Sequence, residues 1–146
     1  MNIHTDASTN RRAIVAYLAQ ALGGALCGVA LGGAAGLIGA RLFAGASDGW
    51  GDLIAAIIGA IIGYTIGVSI GVYLIGRWLN GRDGILTKRR AYWLALLGSV
   101  LGAALVLLLA EPLRLNSNSS LLQALVFVCP PIIATLGFNM SLQARK

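Results

Sequence analysis

The apolar positions of this chain fall into four long runs separated by short polar connections. Residues Ala13 to Ala40, Leu53 to Gly76, Ala91 to Ala110 and Leu121 to Leu142 are almost wholly apolar or glycine. Each run reaches the ~20 residues that a helix needs to cross the hydrocarbon of a bilayer. Open strands are excluded, because unpaired backbone groups in lipid cost several kcal/mol apiece. The pattern predicts an all-α membrane protein: a single transmembrane domain over 1–146, built as a four-transmembrane-helix bundle with no extramembrane domain.

Composition removes the soluble alternative. The chain is 58% hydrophobic before its 20 glycines are counted and only 11% charged, with a mean hydropathy of +0.82. A small globule exposes much of its surface, and so few charges cannot cover one. The first run is also too long for a cleaved export signal, whose apolar core spans about 7–15 residues.

Charge then sets the orientation. Arg11 and Arg12 precede the first run, Arg77, Arg82, Lys88, Arg89 and Arg90 lie between the second and third, and Arg145 and Lys146 follow the fourth. Nine of the eleven basic residues therefore fall on one side if every run spans. The positive-inside rule makes that side cytoplasmic and puts both termini there. Tyr17, Tyr73, Trp78, Tyr92 and Trp93 lie near the same ends and Trp50 at the opposite interface, as expected of amphipathic rings at headgroup depth. The net charge of +6 is a topology signal, with no aromatic-interleaved platform for nucleic acid. The loop containing Arg82, Lys88, Arg89 and Arg90 is expected to meet anionic lipid. The expected location is a multi-pass position in a bacterial inner membrane.

Two matched rows of glycine stand out. Gly24, Gly28, Gly32 and Gly36 in the first run, and Gly59, Gly63, Gly67 and Gly71 in the second, recur every fourth residue. On a helix this spacing forms a groove without side chains. Helices in lipid gain nothing by expelling water, so close backbone packing must hold them together. Helices 1 and 2 are therefore predicted to pack as antiparallel neighbours through these rows. From Gly24 to Gly71 the chain resembles the small glycine-zipper membrane proteins. That resemblance implies a mode of helix packing and carries no activity.

Candidate chemistry is sparse. None of the four runs contains an ionisable Asp, Glu, Lys, Arg or His at its core, which weighs against a proton-coupled carrier, a pump or an intramembrane protease. Cys27 and Cys129 lack metal-ligand or disulfide spacing, so no catalytic, metal or cofactor residue is assigned. Gln20, Ser69 and Ser99 lie at matching depths and are predicted to form an interhelical polar layer, with Asn139 nearer the interface. The alternative is that the serines bond to their own helices. The paired Pro130 and Pro131 should kink the fourth helix or leave carbonyls free.

The expected function is that of a non-enzymatic accessory subunit or oligomeric scaffold in a membrane complex, with other membrane helices as partners. A small homo-oligomeric transporter or channel is the competing reading.

Overall fold

The computed structural model describes residues 3–44, 50–79, 87–112 and 119–143, with backbone only for 3–12, 87–88, 119 and 141–143. Four helices account for all of them but 43, 44, 50, 111 and 112: α1 Ile3–Leu42, α2 Gly51–Leu79, α3 Thr87–Ala110 and α4 Ser119–Gln143. No strand occurs among the described residues. All four are long and apolar enough to cross a membrane, over Ala13–Leu42, Gly51–Leu79, Arg89–Ala110 and Ser120–Met140.

Helix α1 begins well before its apolar run. Residues between Ile3 and Ala13 include no glycine or proline, so a helix nucleated in the apolar run extends back through them at small cost per residue. Hydropathy locates what suits lipid, not where a helix starts. At the end of α1 and at both ends of α2 the helix dipole is matched by charge. Asp52 lies in the first turn of α2, where its carboxylate accepts the Leu53 N–H at 2.7 Å, and Arg41 and Arg77 lie in the last turns of α1 and α2.

The helices form two hairpins. Helix α1 packs chiefly on α2 and α3 chiefly on α4; smaller contacts of α2 with α3, and of α4 with both α1 and α2, join the pairs. Among the described residues α1 and α3 do not meet. A hydrogen bond from Asn139 to Gln20 ties the last turns of α4 to the first half of α1, and Tyr73 packs on Tyr92 between α2 and α3. The start of α1, the end of α2, the start of α3 and the end of α4 thus share one end of the bundle, the basic end. The opposite end is the hairpin end.

Buried side chains concentrate toward the basic end. Tyr64, Val68, Val72, Ala91, Ala95, Ala134 and Phe138 form one core cluster, with Tyr73 against it. At the hairpin end, no residue of 51–62 or 120–129 is buried. The leucine-rich stretch of α3 is mostly exposed, with Leu108 at 74%, although Val106 turns inward. Large apolar side chains are exposed on every helix, including Leu26, Ile62, Leu108 and Leu136. Such a surface suits hydrocarbon and would drive aggregation in water.

Candidate functional site

The α1–α2 contact is built on backbone. A methyl placed on Gly59, Gly63 or Gly67 would lie 2.5–2.6 Å from the carbonyl oxygen of Ala35, Leu31 or Cys27, and one on Gly71 would overlap the Gly23 carbonyl. As α2 advances by four residues the facing position on α1 retreats by four, so the helices are antiparallel in constant register. The α1 glycines receive a different set of atoms. Gly24 and Gly28 face the Val72 and Val68 side chains at 2.7 Å, and Gly32 and Gly36 face the Ala60 and Ala56 carbonyls at 3.0 and 3.2 Å. The α2 row therefore meets backbone at all four positions, and the α1 row meets side chains at two and carbonyl oxygens at two.

The second hairpin uses fewer glycines in the same manner. Methyls on Gly98 and Gly137 would meet the Ile133 and Leu94 carbonyls at 2.7 and 2.6 Å, and one on Gly102 would lie 2.7 Å from the Pro130 Cα. Between hairpins, Gly76 on α2 leaves room for the Phe138 ring on α4, which Tyr73 also meets edge-on at 6.4 Å.

Gln20, Ser69 and Ser99 are all buried, at 1%, 0% and 0% exposure. Their bonds run to separate partners. Asn139 donates to the Gln20 carbonyl at 2.8 Å and to the Thr135 backbone carbonyl at 2.8 Å. Ser99 donates across to the Thr65 carbonyl on α2 at 3.1 Å, whereas Ser69 donates to the Ile66 carbonyl of its own helix at 2.8 Å. Asn139, placed near the interface by counting, is the direct partner of Gln20. Among the described residues no buried side-chain nitrogen or oxygen is left without a hydrogen bond.

The prolines explain one contact that the sequence left open. Proline has no N–H, so Pro131 cannot satisfy the carbonyl four residues earlier, that of Phe127. The Tyr64 hydroxyl, on α2, donates to that carbonyl at 3.0 Å, and its ring meets the Phe127 ring edge-on at 5.8 Å. Helix α4 continues through both prolines. Matching the depth of Tyr64 to the carbonyl freed by Pro131 was the signal available in the sequence.

Comparison with known protein families, curated proteins and solved structures finds no match.

Beyond the core, toward the hairpin end, lies a partly open cavity of about 500 Å³ lined by all four helices. Val29 and Gly33 of α1, Ala60 of α2, Ala103 and Leu107 of α3, and Val126 of α4 form its walls. Tyr64 and Thr65 supply the only hydroxyls in the lining. Both donate to backbone, Tyr64 to Phe127 and Thr65 to Ile61 and Ile62 at 3.0 and 2.9 Å. Gly33 differs from the packed glycines, because a methyl there would meet nothing within 4 Å.

Arg89 and Arg90 are exposed at the start of α3, Lys88 is described by backbone alone, and Arg82 lies outside the described residues. Cys27 and Cys129 are free thiols, each partly buried. No group of three His, Cys, Asp or Glu able to hold a metal is present among the described residues.

Proposed function

We propose that this chain is a multi-pass integral membrane protein acting as a non-enzymatic structural or accessory subunit, or an oligomeric scaffold, in a membrane complex. The observation that carries this reading is the use made of the buried and half-buried polar groups. Gln20, Asn139, Ser69, Ser99, Thr135 and Tyr64 all hydrogen-bond within or between helices, so the interior is committed to holding the bundle together. Its two four-glycine rows act as a glycine zipper between α1 and α2, a reading supported by the carbonyl oxygens facing Gly59, Gly63, Gly67 and Gly71. With nine of eleven basic residues on the cytoplasmic side, the basic end and both termini face the cytoplasm, the arrangement expected in a bacterial inner membrane. Arg89 and Arg90 are placed to meet anionic headgroups there.

A homo-oligomeric transporter or channel would need its path between copies, since Val68, Val72, Ala95 and Ala134 are fully buried in the middle of one copy. Crosslinking in native membranes, followed by mass measurement in mild detergent, tests the scaffold reading. The expected result is a discrete assembly with itself or with another membrane protein. A lone monomer, with no partner recovered after crosslinking, contradicts it.

A further inference from the structure

The cavity at the hairpin end is an apolar space inside the membrane-spanning part of the molecule, and its walls restrict what can occupy it. Water needs two to four polar partners to reside in a cavity. Among the described residues the lining offers two hydroxyls, and both donate to backbone carbonyls, leaving acceptor lone pairs and no free donor to hold a water. The same shortage of unsatisfied donors disfavours a polar solute. A helix from a second copy is too wide: at about 10–12 Å across and 1.5 Å rise per residue it fills on the order of 100–150 Å³ per residue. A cavity of about 500 Å³ would admit only one turn of it. A hydrocarbon chain is slender, apolar and already present in the surrounding solvent.

Depth agrees with a chain entering from one leaflet. Val126 and Pro130 lie about 10–16 Å along α4 from Ser119, counting 1.5 Å per residue, which is within reach of an acyl chain anchored at the hairpin end. The space is also prepared on the α1 side, where Gly33 presents no side chain and its missing methyl faces open space.

We propose that this cavity holds one acyl chain of a bilayer phospholipid from the leaflet at the hairpin end, making lipid a structural component of the fold. The proposal rests on the membrane reading above, and its test separates the two. The protein is reconstituted in nanodiscs of phosphatidylcholine carrying a diazirine along one acyl chain, irradiated, and mapped by peptide mass spectrometry. Labelling at the outward-facing Leu22 and Leu108, exposed at 64% and 74%, reports membrane insertion alone. Labelling at Ala103 and Val126 reports the cavity. The expected result is labelling at both sets, with Gly33→Phe reducing the Ala103 and Val126 yield at least threefold and leaving Leu22 and Leu108 unchanged.

Labelling at Leu22 and Leu108 without Ala103 and Val126 in the unaltered protein overturns the proposal while leaving the membrane reading intact. So does a cavity yield that Gly33→Phe does not lower in a protein of unchanged helix content, or protein–protein crosslinks at Ala103 in place of lipid. Absence of labelling at every site overturns the membrane reading itself. Gly33→Leu, a smaller filling, should lower the cavity yield to an intermediate value and guards against loss of fold in the larger variant.

Discussion

The two ends of the bundle are made from similar residues and pack differently. Toward the basic end, α2 and α4 approach through Gly76 and Phe138, and α1 is tied to α4 by Gln20 and Asn139. Toward the hairpin end, α1 and α2 remain in contact through Gly36, Gly39 and Gly59. Yet no residue of 51–62 or 120–129 is buried, and a cavity separates the pairs. Glycines line the contact between α1 and α2, whereas the two pairs are joined by aromatic side chains and by side-chain hydrogen bonds from Asn139, Tyr64 and Ser99. In lipid this division is expected: small residues allow backbone approach, and polar side chains add a directional contact that hydrocarbon cannot replace.

Replacing a glycine that faces backbone should disturb this comparison most. Gly67→Leu places atoms where the Cys27 carbonyl already lies 2.5 Å from a bare methyl. Overpacking of this kind costs about 1–3 kcal/mol and more where backbone must move. Unfolding in mixed micelles should show a loss of about 3 kcal/mol or failure to fold, and a stability equal to that of the unaltered protein would contradict the packing described.

Next in size is the Gln20–Asn139 bond that closes the basic end. Single changes to alanine at either residue should each destabilise, and a double-mutant cycle should give a coupling of about 1 kcal/mol, within the range for interhelical bonds in membranes. A coupling of zero would mean that the amides do not join α1 to α4.

Tyr64→Phe should cost about 1 kcal/mol by leaving the Phe127 carbonyl unsatisfied. Adding Pro131→Ala restores an N–H four residues beyond that carbonyl, so the cost of Tyr64→Phe should fall by more than half in that background. An undiminished cost would show that the hydroxyl serves something other than the carbonyl freed by proline.

The smallest effect is expected at Gly33. In contrast to Gly67→Leu, Gly33→Leu should change unfolding stability by less than about 0.5 kcal/mol, as at other sites without close neighbours.

The four apolar segments could be read from the sequence because hydropathy over ~20 residues reports directly on lipid as solvent. Partnership was harder to read. The α2 glycines all face α1 backbone, but of the α1 glycines Gly24 and Gly28 receive Val72, Val68 and Tyr64 while Gly32 and Gly36 meet carbonyls, a distinction that spacing alone does not make because it depends on relative rotation. Counting depth placed Gln20, Ser69 and Ser99 at one level. Depth alone does not specify partners, and their bonds go to Asn139, Ile66 and Thr65. Tyr73 and Tyr92, read from the sequence only as aromatics near the helix ends, also pack on each other at 5.9 Å, while Phe43, Trp50, Trp78 and Trp93 are exposed. The cavity is hard to read from the sequence, since its walls come from all four helices.

The placement of the two ends on opposite faces of a bilayer is tested most directly by labelling with a membrane-impermeant maleimide. With Cys27 and Cys129 changed to serine, Ala44→Cys marks the hairpin end and Arg89→Cys the basic end, each in sealed right-side-out and inverted vesicles. The expected result is reaction at Ala44→Cys only in right-side-out vesicles and at Arg89→Cys only in inverted ones. Reaction of both from the same face would contradict a bundle of four spanning helices.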